Sequence, residues 1–190
     1  MKLKFESHLP YQDAAIESVC DLFQGQEICR TEFTVTRCVT DTQMYYEYGR
    51  SYLGIGNRLT LLDEQILENL KAVQMRNGLP ISSSLDSMDF TVEMETGTGK
   101  TYVYLRTMFE LNKRYGFTKF VIVVPSIAVK EGVYKTLQIT RDHFKAEFGG
   151  VVYDYFTYDS AKLGQVRNFA TSPHIQIMVV TVGAINKKDV

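Results

Sequence analysis

Eight consecutive residues carry the densest chemistry of this chain: Met94-Glu95-Thr96-Gly97-Thr98-Gly99-Lys100-Thr101. Gly97 and Gly99 let the backbone curl tightly and point several N–H groups at one spot, a nest for phosphate oxygens. A helix starting near Lys100 would aim its positive dipole end at the same spot. Lys100 has the length to reach the outer phosphates of a nucleotide, and the Thr101 hydroxyl can ligate Mg²⁺. The strict G-x-x-x-x-G-K-[ST] pattern is not met, because Met94 stands where its first glycine belongs. T-G-x-G-K-T between a predicted strand and a predicted helix is still specific, and a structural turn with a solvated lysine is the plain alternative.

The flanking elements must hold that loop. Phe90-Thr91-Val92-Glu93-Met94 is expected to be a short strand and Lys100 to Arg114 a helix, with Leu105, Met108 and Phe109 inward and Gly116 past its end. Phe120 to Val124 is a continuous apolar run, as expected of a central parallel strand covered on both faces. Ser126 to Phe148 reads as one helix, and Val151 to Tyr155 and Ile175 to Val180 as strands. This alternation predicts an α/β sheet with helices on both sides. Ahead of it, residues 8 to 24 read as a helix with Pro10 in its first turn. A second helix is expected from Leu61 to Arg76, with Leu59, Leu62, Ile66, Leu70 and Val73 as its stripe, a capping-box-like Thr60 and Asp63, and Gly78 and Pro80 at its end. Residues 30 to 58 hold the β-branched run Phe33 to Thr36, the tyrosines 45, 46, 48 and 52, and Gly49, Gly54 and Gly56, which break up the stretch.

Composition narrows the class. With 190 residues, 21 Lys+Arg, 22 Asp+Glu and a net charge of -1, the chain is not a grossly basic protein held to nucleic acid by charge alone. Hydrophobic residues at 45% and charged residues at 23% match a globular domain with a sizeable core. Cys20, Cys29 and Cys38 show no zinc spacing, and such idle thiols suit the reducing cytoplasm, the compartment expected here. No signal peptide and no apolar run near the ~18 residues of a membrane span occur, so no membrane is expected. Asn186-Lys187-Lys188-Asp189 matches the guanine-reading N-K-x-D motif. No D-x-x-G lies between Thr101 and Asn186, however, and a GTPase would need one to sense the γ-phosphate.

Further segments extend the pattern: Pro10-Tyr11-Gln12-Asp13-Ala14-Ala15-Ile16; Gly54-Ile55-Gly56-Asn57-Arg58-Leu59 with Leu67-Glu68-Asn69-Leu70 and Arg76-Asn77-Gly78-Leu79-Pro80; Val123-Val124-Pro125-Ser126-Ile127-Ala128-Val129-Lys130-Glu131-Gly132-Val133; and Val179-Val180-Thr181-Val182-Gly183-Ala184-Ile185-Asn186. Together with the phosphate loop they resemble the N-terminal motor of superfamily-two helicases. The segment from Gly54 to Pro80 and the form of the stretch after Val123 most resemble the restriction (Res) subunit of type III restriction-modification enzymes.

That resemblance implies an α/β, RecA-like lobe with a mainly parallel sheet flanked by helices, incomplete at its C-terminal end. It implies a division into residues 1–87, a leading helix and family-specific segment, and 88–190, the ATP-binding lobe. ATP and Mg²⁺ would be held by Thr96, Gly97, Thr98, Gly99, Lys100 and Thr101, with Lys100 as the catalytic cation and Gln12 reading adenine. The Gln12 amide can satisfy adenine's N6 and N7 together, although a helix glutamine is ordinarily solvated. Pro125, Ser126, Lys130 and Thr181 would touch DNA. Ser126 can equally be a plain helix cap, Lys130 a solvated cation and Thr181 a strand end without ligand. Lys162, Arg167, Lys187 and Lys188 suit a DNA track or a solvated face, and the tyrosines could stack bases or pack. The implied activity is a DNA-dependent ATPase that moves on double-stranded DNA before a separate nuclease domain cleaves. Implied partners are the modification methyltransferase (Mod) subunit, a second motor lobe and that nuclease. Another superfamily-two DNA helicase, or a nucleotide-binding interaction module that never hydrolyses ATP, is the alternative.

One departure bears on activity. A motor needs an acidic pair such as D-E-x-H after a buried strand to hold Mg²⁺ and polarise water. None follows Thr101, and Leu61-Leu62-Asp63-Glu64 fits better as a helix start. The chain alone is therefore expected to bind ATP weakly and hydrolyse it little or not at all.

Overall fold

The computed structural model describes residues 8–35 and 52–185. Contacts divide the chain into two units, Met1–Cys29 with Leu59–Gly116 and Thr136–Val151, and Arg30–Arg58 with Phe117–Lys135 and Val152–Val190. The chain thus passes back and forth between them, whereas the expected division after residue 87 follows the motifs.

The first unit is helical. α1 (Pro10–Cys20) starts on Pro10, whose missing N–H costs nothing in a first turn, and runs into a 3₁₀ turn at Asp21–Phe23. Ile16, Cys20 and Leu22 face inward. α2 (Asp63–Arg76) is entered by half of a capping box: the Gln65 side-chain oxygen accepts from the Leu62 N–H at 2.9 Å. Thr60, expected in that role, instead sits beside Gln26, whose Oε1 accepts from the Thr60 N–H at 2.9 Å. The helix presents Ile66 and Val73 of the expected stripe to the core, while ahead of it Leu59 and Leu62 are exposed and Leu61 is buried instead. Gly78, at φ +66°, ends the turn that follows. α3 (Lys100–Tyr115) buries Tyr102, Leu105 and Phe109 and stops at left-handed Gly116. Phe109 packs on Phe144 at 4.8 Å between ring centres, and Phe144 lies on α5 (Arg141–Glu147).

The second unit carries both sheets. β1 (Arg30–Val35) and β2 (Tyr52–Asn57) pair antiparallel from Arg30↔Asn57 to Val35↔Tyr52. β3 (Lys119–Val124), β4 (Tyr153–Thr157) and β5 (Ile175–Thr181) form a parallel sheet in the order β3-β5-β4. Asn57 ties the two: its Nδ2 donates to the Lys119 carbonyl at 2.8 Å, and its Oδ1 accepts from the N–H groups of Thr118 and Lys119 at 2.8 and 3.0 Å. α6 (Leu163–Thr171) packs against this unit's strands, and the short α7 (Val182–Ile185) follows β5. The fold class is therefore α/β with a parallel sheet and flanking helices, as in a RecA-like lobe, with three parallel strands among the described residues.

Several expectations are corrected. Phe90 to Met94 joins no ladder, because no strand among the described residues offers its backbone, and a lone strand is not stable on its own. Among the described residues β3 is an edge strand rather than a central one. β5 takes the centre, and Val121 and Val123 are 47% and 51% exposed. The helix expected from Ser126 to Phe148 is two helices, α4 (Ile127–Ile139) and α5, separated at Thr140. The Thr140 hydroxyl donates back to the Thr136 carbonyl at 2.7 Å, a local bond that competes with helix continuation. Gly54 and Gly56 lie inside β2 rather than breaking the stretch. The tyrosines 45, 46 and 48, Cys38 and the segment 186–189 lie outside the described residues.

Candidate functional site

The phosphate loop follows from local sequence. Gly97 and Gly99 have φ of +86° and +82°, conformations that an L side chain strains to adopt. Gly99 is the N-cap of α3, so Lys100 and Thr101 open the helix, whose first-turn N–H groups have no intrahelical acceptor. The Thr98 hydroxyl donates to the Glu95 carbonyl at 2.7 Å and braces the curl. The Lys100 ammonium folds back across the loop and donates to the carbonyls of Met94 and Glu95 at 2.7 and 2.8 Å. Tyr104, one turn into α3, has its phenol pKa raised by burial, opposed by a hydrogen bond with the Thr101 hydroxyl.

Gln12 reaches the same loop. It is 6% exposed, and its Nε2 donates to the Thr98 carbonyl at 2.9 Å. Its Oε1 is buried and accepts no hydrogen bond. A Cβ on Gly99 would stand 2.9 Å from the Gln12 Nε2, so glycine there lets the amide lie on the backbone. A groove of about 1070 Å³ runs from Thr91–Thr98 along Tyr11, Ala14 and Ser18 of α1 to Val73, Asn77 and Leu79. Tyr11, 49% exposed, presents its ring there. Gln12, Thr96, Gly97, Thr98, Gly99, Lys100 and Thr101 are thus one neighbourhood in the first unit.

The other named residues belong to the second unit. Val124 pairs with Thr181, so Pro125, Ser126 and Thr181 share the carboxyl-terminal edge of the parallel sheet, the edge where ligands sit in open α/β sheets. The Ser126 hydroxyl accepts from the Val129 N–H at 3.3 Å and so caps α4. Lys130 lies 3.9 Å from Glu131.

A profile of the family described as Type III restriction enzyme, res subunit matches residues 7–189. The chain belongs to that family. It is 28% identical to the Res subunit of the type III enzyme EcoPI from Escherichia phage P1 over 97% of this chain and 20% of that protein. It is 28% identical to the EcoP15I Res subunit of Escherichia coli over 96% of this chain and 19% of that protein. To the StyLTI Res subunit of Salmonella typhimurium strain LT2 it is 54% identical over 61 residues, 31% of this chain and 6% of that protein. The chain spans about a fifth of the length of the first two relatives.

Within this member of the Res family, sequence reasoning missed one charged centre. Arg106 on α3 is almost fully buried, and its Nη1 meets Asp13 Oδ1 at 2.6 Å and its Nε meets Glu147 Oε1 at 2.8 Å. Its Nη2 donates to the His8 Nδ1 at 2.9 Å, which fixes that nitrogen as an acceptor. Burial works against the Arg106 charge, but the hydrogen bond to Asp13 and the charges of Glu147 and Asp13 more than offset it, and its pKa is raised. Beyond Glu147, His143 Nε2 lies 3.0 Å from its Oε2 and 2.8 Å from the Tyr102 hydroxyl. A signal was present: Tyr102, Arg106 and Phe109 fall at steps of four and three, placing an arginine on the apolar stripe of a helix.

Proposed function

We propose that this chain is the ATP-binding part of a DNA-dependent ATPase and translocase of a type III restriction endonuclease. In the whole protein, hydrolysis would drive movement on double-stranded DNA before a separate nuclease domain cleaves. The observation that carries this reading is the loop from Glu95 to Thr101 with buried Gln12 laid against it. The loop residues suit a nucleotide's phosphates: a cation in reach, helix-start amides that have no acceptor within the helix, and a hydroxyl at Thr101 suited to Mg²⁺. When bound, Mg²⁺ would neutralise charge on the outer phosphates. The orphaned Gln12 Oε1 calls for a donor, and adenine's 6-amino group is one where guanine carries an acceptor. The expected specificity is therefore for ATP.

On the second unit, Ser126 with the helix start behind it, Lys130 and Thr181 suit the backbone phosphates of a DNA strand. The names of the relatives, Res subunits of restriction-modification enzymes, favour a modifying Mod subunit as partner. A second motor lobe would complete the nucleotide cleft.

The test is binding of a fluorescent ATP analogue with Mg²⁺ by the chain, by Lys100→Ala and by Gln12→Ala, with GTP as competitor. Lys100→Ala should weaken binding by roughly 10- to 100-fold, the worth of a charge-assisted hydrogen bond. GTP should compete poorly. Tight GTP binding indifferent to Gln12 would overturn the reading, as would failure to bind either nucleotide.

A further inference from the structure

We infer that Arg106 and Asp13 form a positioning clamp for the base-reading residue, an inference that rests on the nucleotide reading of Gln12. Three observations carry it. Asp13 is the neighbour of Gln12 on α1, and Arg106 lies on α3, the helix that begins at the phosphate loop. The 2.6 Å pair between them therefore joins the element that supplies the glutamine to the element that supplies the loop. Second, the clamp is the less exposed of the two pairs joining these helices: the Arg106 and Asp13 side chains are 4% and 35% exposed, against 29% and 45% for Arg114 and Glu17. Water screens the outer pair more than the inner one. Third, the two terminal nitrogens of the guanidinium serve different partners, Nη1 the Asp13 carboxylate and Nη2 the His8 ring, a fixed fork that a lysine ammonium on a flexible stem does not reproduce. His8, just ahead of the helix, is held at φ +67°, a conformation non-glycine residues seldom adopt.

The consequence lies at Gln12. Its Oε1 is buried without a partner, a state that persists only where the surroundings fix the side chain. With Asp13 anchored, the first turn of α1 cannot slide along α3, and the amide stays on the Thr98 carbonyl with its oxygen directed outward from that bond. Without the anchor, the turn is free to shift and the amide to turn over, and a turned amide offers N–H groups to either base. Arg106 and Asp13 act through Gln12; neither touches phosphate.

The experiment measures the preference of the 190-residue chain for a fluorescent ATP analogue over the matching GTP analogue, both with Mg²⁺, in four forms. Gln12→Ala removes the reader and should lower the preference about 3- to 10-fold, the range of one hydrogen bond. Asp13→Asn keeps the shape and removes the anchoring charge; it should lower the preference in the same direction by at least about threefold. Glu147→Gln removes the other carboxylate of Arg106, on a helix that carries no proposed nucleotide contact. It should lower the unfolding midpoint and leave the preference at the wild-type value. If Gln12→Ala lowers the preference and Asp13→Asn does not, the clamp alone is refuted. A fall in all three alike shows a role in folding only and also refutes it. An unchanged preference in Gln12→Ala removes the base-reading proposal and the clamp with it.

Discussion

Adding one methyl group at Gly99 tests the geometry of the loop most directly. Gly99 has φ +82° and Gly97 has φ +86°, so alanine at either position pays the same left-handed backbone cost of about 1–2 kcal/mol. Their surroundings differ. The Gly97 Cβ would meet nothing within 4 Å, whereas the Gly99 Cβ would lie 2.9 Å from Gln12 Nε2. Gln12 must then move, and being buried it loses its bond to the Thr98 carbonyl without gaining water, roughly a further 1 kcal/mol. Gly97→Ala should therefore cost about 1–2 kcal/mol and Gly99→Ala about 2–3 kcal/mol, read from urea unfolding midpoints at constant slope. In a Gln12→Ala background the obstacle is gone, and Gly99→Ala should fall to the cost of Gly97→Ala. Equal costs in the wild-type background, or no recovery in the double variant, would show that Gln12 does not lie on the loop.

Three other outcomes are expected. Burial pushes the Cys20 thiol up to about 12, so at pH 8 only roughly one thiol in ten thousand is ionised; iodoacetamide followed by peptide mass spectrometry should leave Cys20 unlabelled in the folded chain while partly exposed Cys29 reacts. The Glu17 carboxyl is held below its ordinary range by its hydrogen bond to Arg114; its folded pKa lies below its unfolded one, so its contribution is full above the unfolded value and is lost as pH falls through the folded value. Because the pair is half-exposed the contribution is under about 1 kcal/mol, and Glu17→Gln should lower stability by that small amount near neutral pH and converge with the wild type at low pH, which flattens the acid limb of the stability profile. Asn57→Ala should destabilise the chain by about 2 kcal/mol in chemical denaturation, since it removes two acceptor contacts and one donor contact that tie β2 to the start of β3; a change below about 0.5 kcal/mol would mean those backbone groups find water instead.

What the sequence made legible is what local chemistry decides. The loop was readable because Gly97 and Gly99 permit the left-handed backbone that its tight curl requires, and the ends of α2 and α3 because Gly78 and Gly116 mark them. Positions that depend on a distant partner were not. Phe90 to Met94 has strand composition, yet a strand exists only with a neighbour, and none stands beside it among the described residues. The apolar run of β3 suggested burial on both faces, but the strand order among the described residues places it at an edge. α6 escaped notice because Gly164, Asn168 and Thr171 dilute its helical signal. Thr140 was legible in principle, as a threonine able to bond back four residues, but nothing local says when that bond prevails over the helix.

Gln12 and Arg106 show the same boundary inside the site. Both are polar residues on amphipathic helices, and residue type assigns them to water even where, as for Arg106, the spacing sets them on the apolar stripe. Both are buried, for reasons that come from 86 and 93 positions away in sequence. A polar side chain enters a core where partners offset its burial, and here they are a loop carbonyl for the glutamine amide and the Asp13 carboxylate and His8 ring for the arginine, with only the Gln12 oxygen left for a ligand's donor in the proposed reading. The leading helix is therefore defined by α3 and the loop that opens it. An apolar α1 could pack there as tightly, but it would leave the Thr98 carbonyl without this donor and the buried Arg106 without the Asp13 carboxylate. The pairing of Gln12 with Asp13 in sequence thus makes structural sense as one unit, in which the acid fixes where the amide stands.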